Sequence, residues 1–381
     1  MIWWILGLSA AYAAALNGTM VMPVVVLAIS KLPGYDEGLA TLVASAELAG
    51  IAIYGLFFPR LALKSWRMVT GLGALAIVAG QTASFLLPDP VPLVGARLLA
   101  GLGEGAIFSL VAASLASKAD AERLWGEISL FGGSAMGLLL FIISIVPQLQ
   151  AGSNVFLTIA LFAAAMAPLF FLITRRAADS QPVSEQAHLD RDKMLAAMGI
   201  VFLTYAVQAA QWAICGYVGE QIGLQNSELG IYLAISSLAG FAGAVVPALT
   251  TDKGKRLPLV MAGFLIMAVS IYCLFNFPTR AAFITAQILV NVGFYIVTPF
   301  VTGIITENDR DGSLVSRTLV IAIIGATLGT AAAGPAFAAW GGSEFAWLCL
   351  VPLALGAGGA MVVFGHLHRV RSVVMTPNVA E

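Results

Sequence analysis

The chain has 381 residues, 60% hydrophobic and only 10% charged, with a mean hydropathy of +0.93. A soluble protein carries about 25% charged residues, so a water-facing globular domain is excluded and the solvent around most of the chain is lipid. A net charge of −1 is uninformative by itself, but where the charges fall is not; no nucleic-acid partner is expected.

The first apolar run, from Ile2 to about Ile29, is too long for a signal-peptide core and follows no basic stretch, so it reads as a retained first span. Eleven more runs follow at about 36–59, 68–88, 92–117, 123–147, 153–174, 194–222, 227–250, 257–277, 280–306, 314–339 and 344–366. Most reach the ~20 residues that a crossing helix needs. Short turns such as Lys31-Leu32-Pro33-Gly34 and Pro88-Asp89-Pro90 connect them. One connection differs: Arg175 to Lys193 is polar, mixed in charge and poor in apolar residues. It divides six spans from six. The pattern therefore predicts an all-α integral membrane protein of twelve transmembrane helices in two pseudo-symmetric six-helix bundles. These are an N-terminal bundle over 1–174, a cytoplasmic linker over 175–193 and a C-terminal bundle over 194–381.

Charge sets the orientation. With the N-terminus in the cytoplasm, the inner loops and tail hold 16 of the 19 Lys and Arg, the outer loops hold only Lys31 and Arg280, and Arg97 lies within a span. The positive-inside rule then places both termini in the cytoplasm, and the compact loops suit a bacterial inner membrane. The bilayer and a small-molecule substrate are the expected partners, and a monomer is the expected state. Basic inner turns follow both span 2 (Pro59 to Arg67) and span 8 (Thr251 to Arg256), a weak echo that suggests duplicated halves.

An enzyme is not expected. Cys215, Cys273 and Cys349 lie in apolar runs without a CxxC pair, His188, His366 and His368 fall in the linker and at the C-terminal edge, and no HExxH, GxSxG or Walker-type loop is present. No metal and no cofactor are expected.

Ionisable residues inside a span are functional candidates. Arg97 and Glu104, in span 4, are seven residues apart, about two turns and ~10.5 Å of rise, so both leave one helix face. A buried carboxylate can hold a proton, and a nearby cation can release it. Glu104 is the leading proton carrier and Arg97 its expected partner, the alternative being a static ion pair that locks the helix. Arg97 could also anchor an anionic substrate, because its planar fork suits a carboxylate or phosphate. Glu47, in the middle of span 2, is a second protonatable candidate. Glu127, near the inner end of span 5, is expected in a gate or interface ion pair with a basic inner turn. Asp252 with Arg256, and Glu307 with Arg317, are candidate gate contacts.

Polar residues recur at helical spacing in span 7 (Thr204, Gln208, Gln211, with Tyr205 and Trp212 beside them) and span 10 (Gln287, Asn291, Tyr295), and span 1 offers Asn17. Amides in lipid need partners or water. Asn17, Gln208, Gln211, Trp212, Gln287, Asn291 and Tyr295 are the candidate substrate contacts, the alternative being interhelical hydrogen bonds that hold the helices together.

At this point the chain resembles the major facilitator superfamily. Arg97-x-x-x-Gly101-x-Gly103-Glu104-Gly105 is similar to that family's fourth-helix motif, and Gly243 through Asp252-Lys253-Gly254-Lys255-Arg256 to its basic inner-loop motif. Pro59 stands where the first-half copy would carry an aspartate. The glutamate form of the fourth-helix motif is similar to the anion:cation symporters and the spinster-like lipid transporters. The resemblance implies that Arg97 and Glu104 serve proton coupling and that helices 1, 4, 7 and 10 line a central cavity. Span 5 has Gly132, Gly133 and Gly137 but no Gly-Pro, so the antiporter-type fifth-helix motif is incomplete. The first expectation is a proton-coupled, alternating-access transporter importing a small organic anion by symport, driven by the proton gradient. Export of a hydrophobic or amphipathic compound, drug or lipid, is the alternative, and a non-transporting receptor or scaffold is a distant third.

Overall fold

The computed structural model describes residues 2–58, 61, 65–115, 121–173, 190–250, 252–277, 279–309 and 313–374. Most of the expected linker (175–193) and of the basic turn at 59–64 lies outside the described residues.

Span 1 is two helices, Ile2–Met20 and Met22–Ser30, bent by 46°. The bend traces to Pro23. Proline lacks an N–H, and its ring pushes against the carbonyl four residues back, here that of Thr19. The Thr19 oxygen instead accepts a hydrogen bond from Trp212 Nε1 at 3.0 Å. Span 2 is Glu37–Phe57, capped by Asp36 Oδ1, which accepts from Leu39 N at 2.7 Å. Spans 3 to 6 are Trp66–Leu86, Pro90–Leu115, Ala121–Ile145 and Asn154–Phe170. Span 7 is Arg191–Gln221, and span 8 is Asn226–Gly240 followed by Ala242–Leu249. Spans 9 and 10 are Arg256–Asn276 and Arg280–Glu307.

Nine described helices are long and apolar enough to cross a bilayer, and the bent first pair makes ten. One of the nine, Leu314–Gly365, runs 52 residues. It turns at Gly341, whose φ of 83° with ψ of −179° suits glycine alone. It therefore makes two crossings, spans 11 and 12. Asn154–Phe170, apolar over 17 residues, supplies the twelfth. The outward face is apolar: Leu75, Leu161 and Leu265 are 64%, 63% and 64% exposed, a surface suited to acyl chains rather than water.

The second half repeats the first at a constant offset. Trp66–Leu86 and Arg256–Asn276 begin 190 residues apart, as do Pro90–Leu115 and Arg280–Glu307. The packing repeats too. A Cβ on Gly103 would come within 2.6 Å of the Gly73 carbonyl oxygen, and one on Gly293 within 2.7 Å of that of Gly263. Glu47-Leu48-Ala49-Gly50 corresponds to Ser237-Leu238-Ala239-Gly240, and both end on a glycine that admits the neighbouring helix. The halves meet where span 2 lies against the last long helix, span 5 against span 8, and Met22–Ser30 against span 7.

Candidate functional site

The first half holds a closed charged cluster. Arg97 and Glu47 are wholly buried and form an ion pair through Arg97 Nη2 and Glu47 Oε2. Gln81 of span 3 bridges the two. Its Oε1 accepts from Arg97 Nη1 at 2.7 Å, and its Nε2 donates to Glu47 Oε1 at 2.7 Å. The guanidinium carbon stands 4.9 Å from the ring centre of Phe156 in span 6, a cation–π contact. Arg97 therefore ties span 4 to spans 2, 3 and 6.

This corrects the expected Arg97–Glu104 pair: the partner of Arg97 is Glu47, on another helix. The reason is Gly101, one turn from each of Arg97 and Glu104. A Cβ on Gly101 would collide with the Glu47 carbonyl, and one on Gly18 with the Glu47 carboxyl. The two glycines let Glu47 enter midway between the charges of span 4, nearer to Arg97 than two helical turns allow Glu104 to be. Glu104 is 1% exposed, and neither carboxyl oxygen makes a hydrogen bond of full geometry, although the Glu47 and Gln81 side chains stand beside it and Arg97 lies within its electrostatic reach. One guanidinium thus faces two carboxyls, and charge balance leaves room for one proton in the cluster. Sequence reading missed Gln81 and Phe156. A lone amide in an apolar span was the available signal for Gln81, whereas a phenylalanine in a lipid-soluble chain carries none.

At the 190-residue offset the second half carries no charge: Gln287 stands for Arg97, Ser237 for Glu47 and Phe294 for Glu104. Gln211 Oε1 accepts from Gln287 Nε2 at 3.2 Å, Gln208 Nε2 donates to Asn291 Oδ1 at 2.9 Å, and Asn291 Nδ2 donates to the Gln287 carbonyl at 2.8 Å. Gln208 Oε1, Gln287 Oε1 and Gln211 Nε2 are left without partners. The predicted amides of spans 7 and 10 are therefore brought together, with Tyr295 beside them against a tilted Phe241 ring at 4.8 Å between centroids. Trp212 differs from expectation. It is 8% exposed, and its indole N–H is spent on Thr19, so it joins span 7 to span 1. Asn17 is wholly buried; its Nδ2 donates to the Ala14 carbonyl at 2.5 Å and its Oδ1 has no partner.

The expected gate pairs are re-sorted. Arg256 Nη2 donates to Glu307 Oε1 at 2.7 Å, while Asp252 Oδ1 accepts from Gly254 N at 2.8 Å and closes its own turn. Arg317 is exposed. Glu127 pairs with Arg123 one turn away on its own helix, at 2.9 Å, rather than with another turn. Further polar contacts between the halves lie at the expected outer end. There Lys31 pairs with Glu220, and Thr41 Oγ1 accepts from Gly334 N at 3.1 Å.

A family model described as Major Facilitator Superfamily matches residues 7–308. No curated protein matches in sequence. Among solved structures, the chain is similar to a bacterial homologue of the human lysosomal transporter Spinster, solved inward-facing and unoccupied. The TM-score is 0.69 at 14% identity, over 95% of this chain and 96% of that one. It is also similar to the human organic anion transporter MFSD10 (TETRAN), with a TM-score of 0.69 at 12% identity, over 93% and 99% of the two chains.

Proposed function

This chain belongs to the major facilitator superfamily, and from that premise we propose that it is a proton-coupled secondary transporter in which Glu104 carries the proton. The observation that supports this is the cluster of one cation and two carboxyls, shut away from water, in which Glu104 alone has unpartnered oxygens. Glu47 and Gln81 hold Arg97 in place. A shift of span 4 against span 2 that exchanged the carboxyl facing Arg97 would change which group keeps the proton. That is the physical link between proton and conformation in alternating access. The bundles at 1–174 and 194–381 are the bodies that rock, the basic ends face the cytoplasm, and a bacterial inner membrane is the site.

Two substrate classes follow from the sequence, a small organic anion taken up by symport and an amphipathic compound exported. The position of Arg97 supports the second. A guanidinium that is wholly buried, bonded to Glu47 and Gln81 through its two terminal nitrogens and set over the ring of Phe156 keeps only a buried Nε unpaired, and so offers no two-pronged fork to a substrate carboxylate.

The test is infrared difference spectroscopy of the reconstituted protein across a pH titration. A protonated-carboxyl band should titrate in the wild type and disappear in Glu104→Gln. An unchanged band in the variant would overturn the assignment. In proteoliposomes, Glu104→Gln should abolish proton movement driven by solute, while Arg97→Lys, which keeps the charge and loses the fork, should retain solute binding.

A further inference from the structure

Aromatic rings form one cluster in each half, and the two clusters approach the same stretch of span 5. In the first half, Tyr12 of span 1 meets Trp125 of span 5 edge-on at 6.2 Å, and Trp125 meets Phe108 of span 4 at 6.3 Å. In the second, Phe241 of span 8, Tyr295 and Phe294 of span 10, and Tyr205 of span 7 follow one another at 4.8, 5.4 and 5.0 Å. The junction is the glycine pair of span 5. A Cβ on Gly132 would come within 2.7 Å of the Tyr12 ring, and one on Gly133 within 3.3 Å of the Phe241 ring. The two glycines let aromatics of both halves converge on one stretch of backbone. Tyr12, Phe108, Trp125, Tyr205, Tyr295 and Phe241 are all half-buried, and Tyr205 and Tyr295 lie within electrostatic reach of Tyr12.

One turn from Tyr205 and Tyr295 lie Gln208 and Asn291, and a further turn on lie Gln211 and Gln287. Among the described side-chain amides, the buried acceptors left without partners are Gln208 Oε1 and Gln287 Oε1, with Asn17 Oδ1 on span 1, and the donor so left is Gln211 Nε2. Ring faces attract cations, and unpaired carbonyl oxygens call for N–H donors. Arg97, the one buried cation among the described residues, is bonded to Glu47 and Gln81. Rings and amides, two separate features, favour the same kind of ligand.

We infer that the space between the halves takes an amphipathic organic cation, an apolar or aromatic body bearing a protonated amine. Its body lies among Tyr12, Trp125, Tyr205 and Tyr295, and its N–H donors turn to Gln208 and Gln287. This rests on the transporter reading and names its substrate class. Phe108 is one turn beyond Glu104, so a cation in the cage and a proton on Glu104 oppose each other, and exchange of cation for proton replaces symport as the expected sense of transport.

The test is equilibrium dialysis of nanodisc-reconstituted protein with three ligands of one size: phenylbutylammonium, phenylbutanol and phenylbutyrate. The ammonium should bind about tenfold tighter than the alcohol, and the carboxylate more weakly than either. Tyr295→Leu and Gln208→Leu should each lower ammonium affinity toward that of the alcohol, with thermal unfolding recorded to show that the variants remain folded. Equal binding of the three ligands, or preference for the carboxylate, overturns the proposal on the wild type alone. Glu104→Gln separates this from the proton site. Tight ammonium binding with the same pH dependence in wild type and variant would remove the proton role of Glu104 and leave the cage standing, whereas loss of ammonium preference removes the cage whatever Glu104→Gln does.

Discussion

The two halves repeat one backbone and fill it with opposite chemistry. Spans 2, 3 and 4 place Glu47, Gln81, Arg97 and Glu104 in a closed charged cluster, whereas their counterparts in spans 8, 9 and 10 are Ser237, Ile271, Gln287 and Phe294. The glycine contacts that bring the helices together recur at the same offset, Gly73 with Gly103 and Gly263 with Gly293. Packing in this fold therefore does not need the charges, and the first half keeps them at a cost. The insertion cost alone of an arginine at a helix centre is about 2.5–3.5 kcal/mol. A duplicated frame lets one half hold a buried charged cluster while the other holds amides and rings.

The largest effect should come from breaking the charged cluster on one side. Glu47→Leu leaves Arg97 buried with Gln81 as its remaining hydrogen-bond partner, and should cost about 3–5 kcal/mol, read as a fall in apparent melting temperature in detergent. A loss below about 1 kcal/mol would mean that Glu104 replaces Glu47 as the partner. Next comes the entry of Glu47 itself. Gly101→Ala places a methyl on the Glu47 carbonyl and should cost about 1–3 kcal/mol or more. Gly71→Ala, where a Cβ meets nothing within 4 Å, should be neutral or stabilising by up to about 1 kcal/mol. Equal melting shifts for the two would deny the close approach.

A sharper probe converts the first half to the pattern of the second. The combined variant Glu47→Ser, Arg97→Gln, Glu104→Phe removes cation and carboxyls together, so it should stay within about 2 kcal/mol of the wild type and lose the titrating carboxyl band altogether. A collapse in stability would show that the charges hold the frame. The smallest effect belongs to the outer end. Lys31 and Glu220 are 49% and 34% exposed, and Lys31→Ala should cost no more than about 1 kcal/mol, less still in high salt. A melting shift independent of salt would assign Lys31 a packing role instead.

The number of spans, the split into two sixes and the presence of buried ionisable residues were legible in the amino-acid sequence, because lipid allows few alternatives. A run of about 20 apolar residues must satisfy its own backbone by forming a helix, and a charge within one stands out against such a background. The amides at Gln208, Gln211, Gln287 and Asn291 were legible for the same reason, and the structure gathers them. Partnership was not legible. Arg97 and Glu104 share a helix face, so periodicity joined them, but helical rise keeps them two turns apart, and the helix that supplies Glu47 enters at Gly101. Tertiary packing alone decided that exchange, along with Arg256 for Glu307 instead of Arg317 and the approach of Tyr12 to Gly132 and of Phe241 to Gly133. In a chain with apolar residues on every side, hydropathy cannot separate the rings that face lipid from those that face the other half. Only the close contacts between helices, admitted glycine by glycine, make that choice.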